Sequence, residues 1–207
     1  MFGIFGGIIA WALWYQKRQT EKAWANFVAF GQAFGINVTQ PKLGWFFSPM
    51  PALQGEYKGR RINLHTERRR SGKHTYYYTI LTLFAPGTNN FSFRLLKEGF
   101  FQKIGKMLGG QDIQTGDSVF DKAFMLKSNS PEIALQIFDP QLCGKILDHE
   151  GWIHSSLDLN NGALVYTEQV QLTNSKHLDR FVNIAHLNIA ILDKVQSKLG
   201  SRPSRPQ

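Results

Sequence analysis

Only one cysteine, Cys143, occurs in 207 residues, which excludes an intramolecular disulfide framework and a multi-cysteine zinc centre. Acidic residues are also scarce: 15 Asp plus Glu stand against 24 Lys plus Arg, a net charge of +9, so anionic partners are favoured over cationic ones. The eight prolines and 19 glycines follow no period, and no internal repeat is present, so collagen-like and low-complexity chains are excluded. Mean hydropathy is −0.26, which excludes a polytopic membrane protein. No G-x-S-x-G, G-x-x-x-x-G-K-[ST] or H-E-x-x-H pattern occurs, so the familiar hydrolase, nucleotide-cradle and metalloprotease signatures are missing. What is abundant is apolar: 43% hydrophobic residues against 19% charged, enough to bury one sizeable core and too much for wholesale disorder. The length fits one globular domain, or one domain with an appendage.

The appendage is at the start. Residues 1–15 read MFGIFGGIIAWALWY, with no charge before Lys17 and Arg18. Its apolar side chains are Phe2, Ile4, Phe5, Ile8, Ile9, Trp11, Leu13, Trp14 and Tyr15. Counted to Gln16, it spans about 24 Å as a helix at ~1.5 Å per residue, short of the roughly 30 Å hydrocarbon layer. Trp11, Trp14 and Tyr15 sit where an interfacial aromatic belt belongs, with Lys17, Arg18 and Lys22 just beyond. The expectation is a single-pass transmembrane anchor, and the positive-inside rule then puts the following body in the cytoplasm. A cleavable signal peptide would carry its basic residues before the apolar run rather than after it. The competing reading is a buried or interfacial helix, which the short length permits. Beyond it, Trp24, Phe27, Val28, Gly31 and Phe34 recur at helical spacing and are expected to dock on the chain's own domain. The organisation read from this is a hydrophobic helix over 1–34, a linker over 35–52, one α+β domain over 53–197, and a disordered basic tail over 198–207.

Between residues 53 and 96 turn signals at Lys58-Gly59, Ser71-Gly72 and Pro86-Gly87 separate runs that read as strands. The 76–84 run is apolar on both alternating faces, which predicts a central strand packed on each side. A helix is expected with Phe100, Phe101, Ile104, Met107 and Leu108 on one face. Phe120 and Phe124 then mark a short helix or strand. Two short helices follow from Pro131, broken at Asp139-Pro140. The strongest hairpin signal spans 152–170 around Asn161-Gly162. A last helix capped near Asn174 or Ser175 carries Leu178, Phe181, Val182, Ala185, Ile189, Leu192 and Val195. The fold class is therefore α+β: a largely antiparallel sheet of about six or seven strands with packed helices.

Tyr57, Gly59 and Arg60, followed by Thr115, Gly116, Asp117, Phe120, Asp121 and Phe124, then Pro131 and the closing hairpin, resemble bacterial families catalogued only as domains of unknown function. The resemblance covers about residues 53 to 170, and its most specific part is TGDSVFDKAF. It implies one domain, a bacterial source and an N-terminal membrane association, and it implies no activity.

Three constellations bear on chemistry. Asp112, Asp117 and Asp121 offer hard oxygen ligands, which makes a metal-dependent hydrolase conceivable; yet no motif with metal-ligand spacing surrounds them, and Asp117 is placed to cap a helix instead. Cys143 occupies an apolar helix position where a small buried thiol is ordinary, and the six histidines are scattered. The third is basic: Arg60, Arg61, Arg68, Arg69, Arg70 and Lys73 fall in a fourteen-residue hairpin with Glu67 as its one acid, beside Tyr76, Tyr77 and Tyr78. Such a run suits anionic lipid, an acidic protein partner, or less readily nucleic acid, and it also discourages edge pairing. No cofactor is implied. The expected function is an interaction domain without catalysis.

Overall fold

The computed structural model describes residues 2–42, 44, 49–97, 112–149 and 155–200. In chain order the elements are α1 (Phe2–Ala33), β1 (Ala52–Tyr57), β2 (Arg60–Ser71), β3 (His74–Phe84), β4 (Phe93–Lys97), β5 (Asp112–Ile113), α2 (Ser118–Ala123), β6 (Phe124–Ser128), α3 (Pro131–Ile137), α4 (Pro140–Asp148), β7 (Ser155–Asn160), β8 (Ala163–Glu168) and α5 (Ser175–Gly200). The class is α+β, as the grouping of strands implies. All pairings are antiparallel, in the order β1-β2-β3-β8-β7-β4-β6-β5. The eight strands exceed the expected six or seven because β5 is only two residues long, too short to leave a periodic trace. The predicted helix around Phe100 to Leu108, Trp152, and the tail after Gly200 lie outside the described residues.

Local chemistry sets most element ends. Asn161 (φ 48°) and Gly162 (φ 73°) make the tight β7–β8 turn with both backbone angles positive, the geometry that Asn-Gly favours. A side chain at position 162 would also meet Asn89 Oδ1 at 2.5 Å. Pro131 and Pro140 stand in the first turns of α3 and α4, and Asp139 accepts from Leu142 N–H at 2.9 Å. Asn174 caps α5 by accepting from His177 N–H at 2.8 Å. Each cap satisfies a helix-end donor that would otherwise lack a partner.

The helices form one layer against one face of the sheet. Ile62, Leu64, Leu81, Leu83, Leu157, Leu159, Leu164 and Tyr166 point to that face and are fully buried. They meet Phe181, Ile184 and Leu192 of α5, Phe138 and Ile146 beside α3 and α4, and Phe27, Phe30 and Phe34 of α1. Tyr166 and Phe181 meet edge to face at 5.6 Å, and Phe93 and Phe138 at 5.1 Å. Burial of each phenylalanine contributes about 1.5–3 kcal/mol. The expectation that β3 is packed on both sides is corrected accordingly. Among the described residues the helices cover one face, and the other is shielded locally by long side chains, with the Arg61 guanidinium 3.7 Å from the Phe84 ring centroid and Arg69 4.6 Å from that of Tyr78. Such stems and cations cover apolar surface while their charge stays wet.

The transmembrane expectation is overturned. Among the described residues no helix is long and apolar enough to cross a membrane, so the single-pass anchor fails, and with it the cytoplasm-facing placement read from its flanking charges. The reason is visible in α1. Its apolar run stops at Tyr15, the same helix continues without a break through Lys17, Arg18, Glu21 and Lys22, and its second half is committed to the protein core. Trp24 donates to Pro49 O at 3.1 Å, Asn26 donates to Leu172 O at 3.0 Å, and Phe34 meets Tyr57 edge to face at 5.0 Å. Just past α1, Ile36 packs on Gly55 of β1, where a Cβ would stand 2.5 Å from the Ile36 side chain.

Candidate functional site

β2 and β3 are twice as long as their neighbours. β1 pairs with β2 only from Arg60 to His65, and β8 pairs with β3 only from Thr79 to Phe84. Residues beyond that, from Arg68 through the turn to Tyr77, form a two-stranded arm that no other strand flanks among the described residues. Such an arm is held by cross-strand pairs and is open to solvent on both edges. Arg68, Arg69, Arg70 and Lys73 are all exposed.

The six basic residues expected to act together are divided by the fold. Arg60 sits at the opposite end of β2, only 13% exposed, donating to Asp193 at 2.5 Å and Gln196 at 2.7 Å on α5. It ties helix to sheet. Arg61 lies over Phe84 at that same end. Eight residues of strand, about 26 Å at ~3.3 Å per residue, separate Arg60 from Arg68. At the tip, Arg69 is partly neutralised: its Nε and Nη2 donate to Glu67 Oε2 at 3.0 and 2.7 Å. The Arg69 hydrogen bond chiefly holds the Glu67 carboxyl below its ordinary value. Among the described residues, Arg68, Arg70 and Lys73 are left without an ion pair. Register separates them further: Arg68 and Arg70 follow Ile62, Leu64 and Thr66 onto the helix-bearing side, and Arg69 follows His65 and Glu67 onto the other.

The aspartates do not converge. Asp117 accepts from Val119 N–H at 2.9 Å and Phe120 N–H at 3.1 Å, capping α2. Asp121 accepts from Thr115 N–H and Oγ1, both at 2.9 Å, and Gly116 N–H at 3.1 Å. Asp112 faces Lys127 at 3.4 Å. Their lone pairs are used by the backbone, the Thr115 hydroxyl and one lysine, and among the described residues no group of three or more His, Cys, Asp or Glu is placed to hold a metal ion. The TGD-x-x-F-D pattern therefore builds a turn and a helix start.

Cys143 is fully buried, its thiol donating to Phe138 O at 3.4 Å, and burial pushes its pKa up to about 11. At pH 8 only about one part in a thousand would be thiolate. Native protein is therefore expected to resist an aromatic disulfide reagent at pH 8 and to react within seconds after unfolding in guanidinium; rapid reaction of native protein would refute this. His177 meets Gln171 O at 3.0 Å and His186 packs 5.1 Å from the Phe34 ring, so those imidazoles also serve packing.

Two features have no counterpart in the sequence reading. The first is a buried polar cluster: Glu168, 3% exposed, accepts from Tyr166 Oη at 2.9 Å and from Arg180 of α5. Alternation of Tyr166 and Glu168 on one side of a strand was its only sequence signal. The second is the pairing of Arg94 with Asp158 across β4 and β7.

The first half of α1 is the other exposed feature. Ile8, Ile9 and Trp11 are 58%, 60% and 63% exposed, and Trp14 and Tyr15 are 45% and 50%. Trp11 stacks on Tyr15 at 5.7 Å, and Arg18 lies 4.9 Å from the Trp14 ring centroid.

The architecture has a solved counterpart. The chain is similar in fold to the crystal structure of the mycobacterial trehalose monomycolate transport factor A, TtfA. The TM-score is 0.52, over 89% of this chain and 98% of that one, at 10% sequence identity. At that identity the likeness is one of fold. It extends over nearly the whole of that chain, so the arrangement of sheet and helices is what the two share. No family model and no curated protein matches the sequence.

Proposed function

We propose that this chain is a non-catalytic binding domain of a transport-associated assembly, and that it contacts an anionic lipid surface through the β2–β3 tip. One observation carries the reading: a two-stranded arm runs beyond the sheet and presents Arg68, Arg70 and Lys73 exposed and, among the described residues, without carboxylate partners. Flexible cations on a projecting arm have little to do with holding the fold, and they gain most from a surface of opposite sign. The transport association draws on the fold shared with a transport factor. The non-catalytic part of the reading draws on Asp117 and Asp121, which are engaged in capping and turn hydrogen bonds, on Asp112, which pairs with Lys127, and on the buried thiol of Cys143.

The test is co-sedimentation of the full chain with phosphatidylcholine vesicles with and without phosphatidylglycerol. Each basic residue near an anionic surface contributes about 1 kcal/mol, so Arg68→Glu, Arg69→Glu and Arg70→Glu together are expected to weaken binding to anionic vesicles on the order of a hundredfold. Raising salt should weaken the wild type and leave the triple variant little changed. Equal binding of wild type and variant refutes the assignment, as does a wild type that prefers a soluble acidic polypeptide or single-stranded nucleic acid to the vesicles.

A further inference from the structure

The contacts of α1 fix its direction relative to the sheet. At its C-terminal end, Phe34 meets Tyr57, and Ile36 lies against Gly55; Tyr57 and Gly55 pair with Arg60 and Ile62, at the end of β2 remote from the tip. Ten residues earlier, Trp24 donates to Pro49 O, and nearby Pro51 O accepts from Thr66 N–H, close to where the arm leaves the sheet. Asn26 donates to Leu172 O and Asn174 O, just past the end of β8, where Thr79 Oγ1 donates to Val170 O. Helix α1 therefore runs from the tip end of the sheet toward the Arg60 end. Its residues before Trp24 continue past the tip end of the sheet, in the same direction as the basic arm.

The lengths agree. From Trp24 back to Ile8 the helix extends about 24 Å at ~1.5 Å per residue, and from Thr66 to Ser71 the arm extends about 17 Å at ~3.3 Å per residue. Projected along the strand direction from those anchor points, Trp14 falls about level with the tip, Ile8 and Ile9 ahead of it, and Lys17 and Arg18 just behind. Arg68 and Arg70 point to the side of the sheet on which α1 packs. The molecule has one end that carries an apolar helix tip, a band of Trp and Tyr, and two sets of cations at nearly one level.

Accepting the lipid reading of the tip, on which this rests, we infer that α1 and the β2–β3 arm form one bipartite contact with an anionic bilayer, reaching into a single leaflet without crossing it. Two observations choose lipid over a protein groove. At 100° per residue Ile8, Ile9, Trp11, Trp14 and Tyr15 span an arc of about 220°, wider than the roughly 100° apolar stripe that a groove-binding helix presents on one side. The cations ring the apolar part at its base, where headgroup phosphates would lie, with aromatic residues between, the order of an interfacial segment.

Vesicles of brominated phosphatidylglycerol test this with the full chain. Wild-type tryptophan fluorescence is expected to be quenched on binding. Trp11→Phe/Trp14→Phe is expected to bind equally well with most of that quenching gone, because Phe keeps the apolar contact. Trp11→Ser/Trp14→Ser is expected to bind about tenfold or more weakly. Both pairs are exposed, so melting temperatures should match the wild type. If the Arg68→Glu triple variant loses binding but the serine variant binds as wild type without quenching, the bipartite contact fails and the hairpin reading stands. If no vesicle binds the wild type, both fail. If the wild type instead dimerises without lipid and the serine pair abolishes that, the helix tip belongs to a second copy and the inference is overturned.

Discussion

Arg180→Met is expected to destabilise the fold by about 3–5 kcal/mol, because it leaves a buried carboxylate without its counter-charge. Glu168 has a side chain 5% exposed and Arg180 one 16% exposed, so neither charge is well served by water. Burial raises the Glu168 carboxyl above its ordinary 4.5, while Arg180 and the Tyr166 hydroxyl pull it back. Removing Arg180 leaves burial largely unopposed, so the folded-state pKa rises further above the unfolded one. A group of that kind stabilises the fold fully below its unfolded pKa and loses that contribution as pH rises through the folded value. The deficit of the variant should therefore be largest near neutral pH and shrink as pH falls toward about 4.5. Adding Glu168→Gln should recover part of the loss and remove its pH dependence. Urea melts at several pH values supply the check; a pH-independent loss below about 1 kcal/mol would contradict the account.

Phe30→Ala should have an effect of similar size, about 3–5 kcal/mol, since it opens a cavity beneath α1. Phe30 is fully buried and its ring centroid lies 4.8 Å from that of Phe34. At ~2–4 °C per kcal/mol for a chain of this size, the melting temperature should fall by about 10 °C. A chain beginning at Lys17 should melt within about 2 °C of the full one, because the residues it lacks that have described side chains, 7–16, are mostly exposed and surface changes seldom matter more than ~0.5 kcal/mol. The contrast divides α1 into a structural half and a projecting half. If the truncation melted as low as Phe30→Ala, the projecting half would be part of the core after all.

The expected roles of the N-terminal segment and of the basic run were both changed by context. Hydropathy alone made residues 1–15 a membrane span, since a short apolar run flanked by aromatics and cations has that signature. The continuation was carried instead by the helical spacing of Trp24, Phe27, Val28, Gly31 and Phe34; the helix runs unbroken to Ala33 and is held by Phe27, Phe30 and Phe34. Charge density alone grouped Arg60 with Lys73, although in a strand thirteen residues span most of a domain. The aspartates went the other way: the capping geometry available to Asp117 could be read from its place after Gly116 and before Val119 and Phe120, and the structure places it there.

Local signals sufficed for the kind and limits of most elements. Asn161-Gly162, Pro131, Asp139-Pro140 and Asn174 act through their own backbone preferences and short-range hydrogen bonds, which depend on neighbours within a few residues. The same locality explains why α+β with antiparallel strands was legible. The strand order was decided elsewhere. The β7–β8 hairpin, late in the chain, enters between β3 and β4, a choice made by which apolar faces pack best once α5 and α1 close over them. Tertiary packing likewise drew Arg60 inward to Asp193 and Gln196 and held Trp24 and Asn26 of α1 against Pro49 and Leu172. The ties of Arg60 to Gln196 and of Asn26 to Leu172 join residues more than a hundred positions apart, and the free energy that selects such contacts comes from burying a shared core rather than from any one segment.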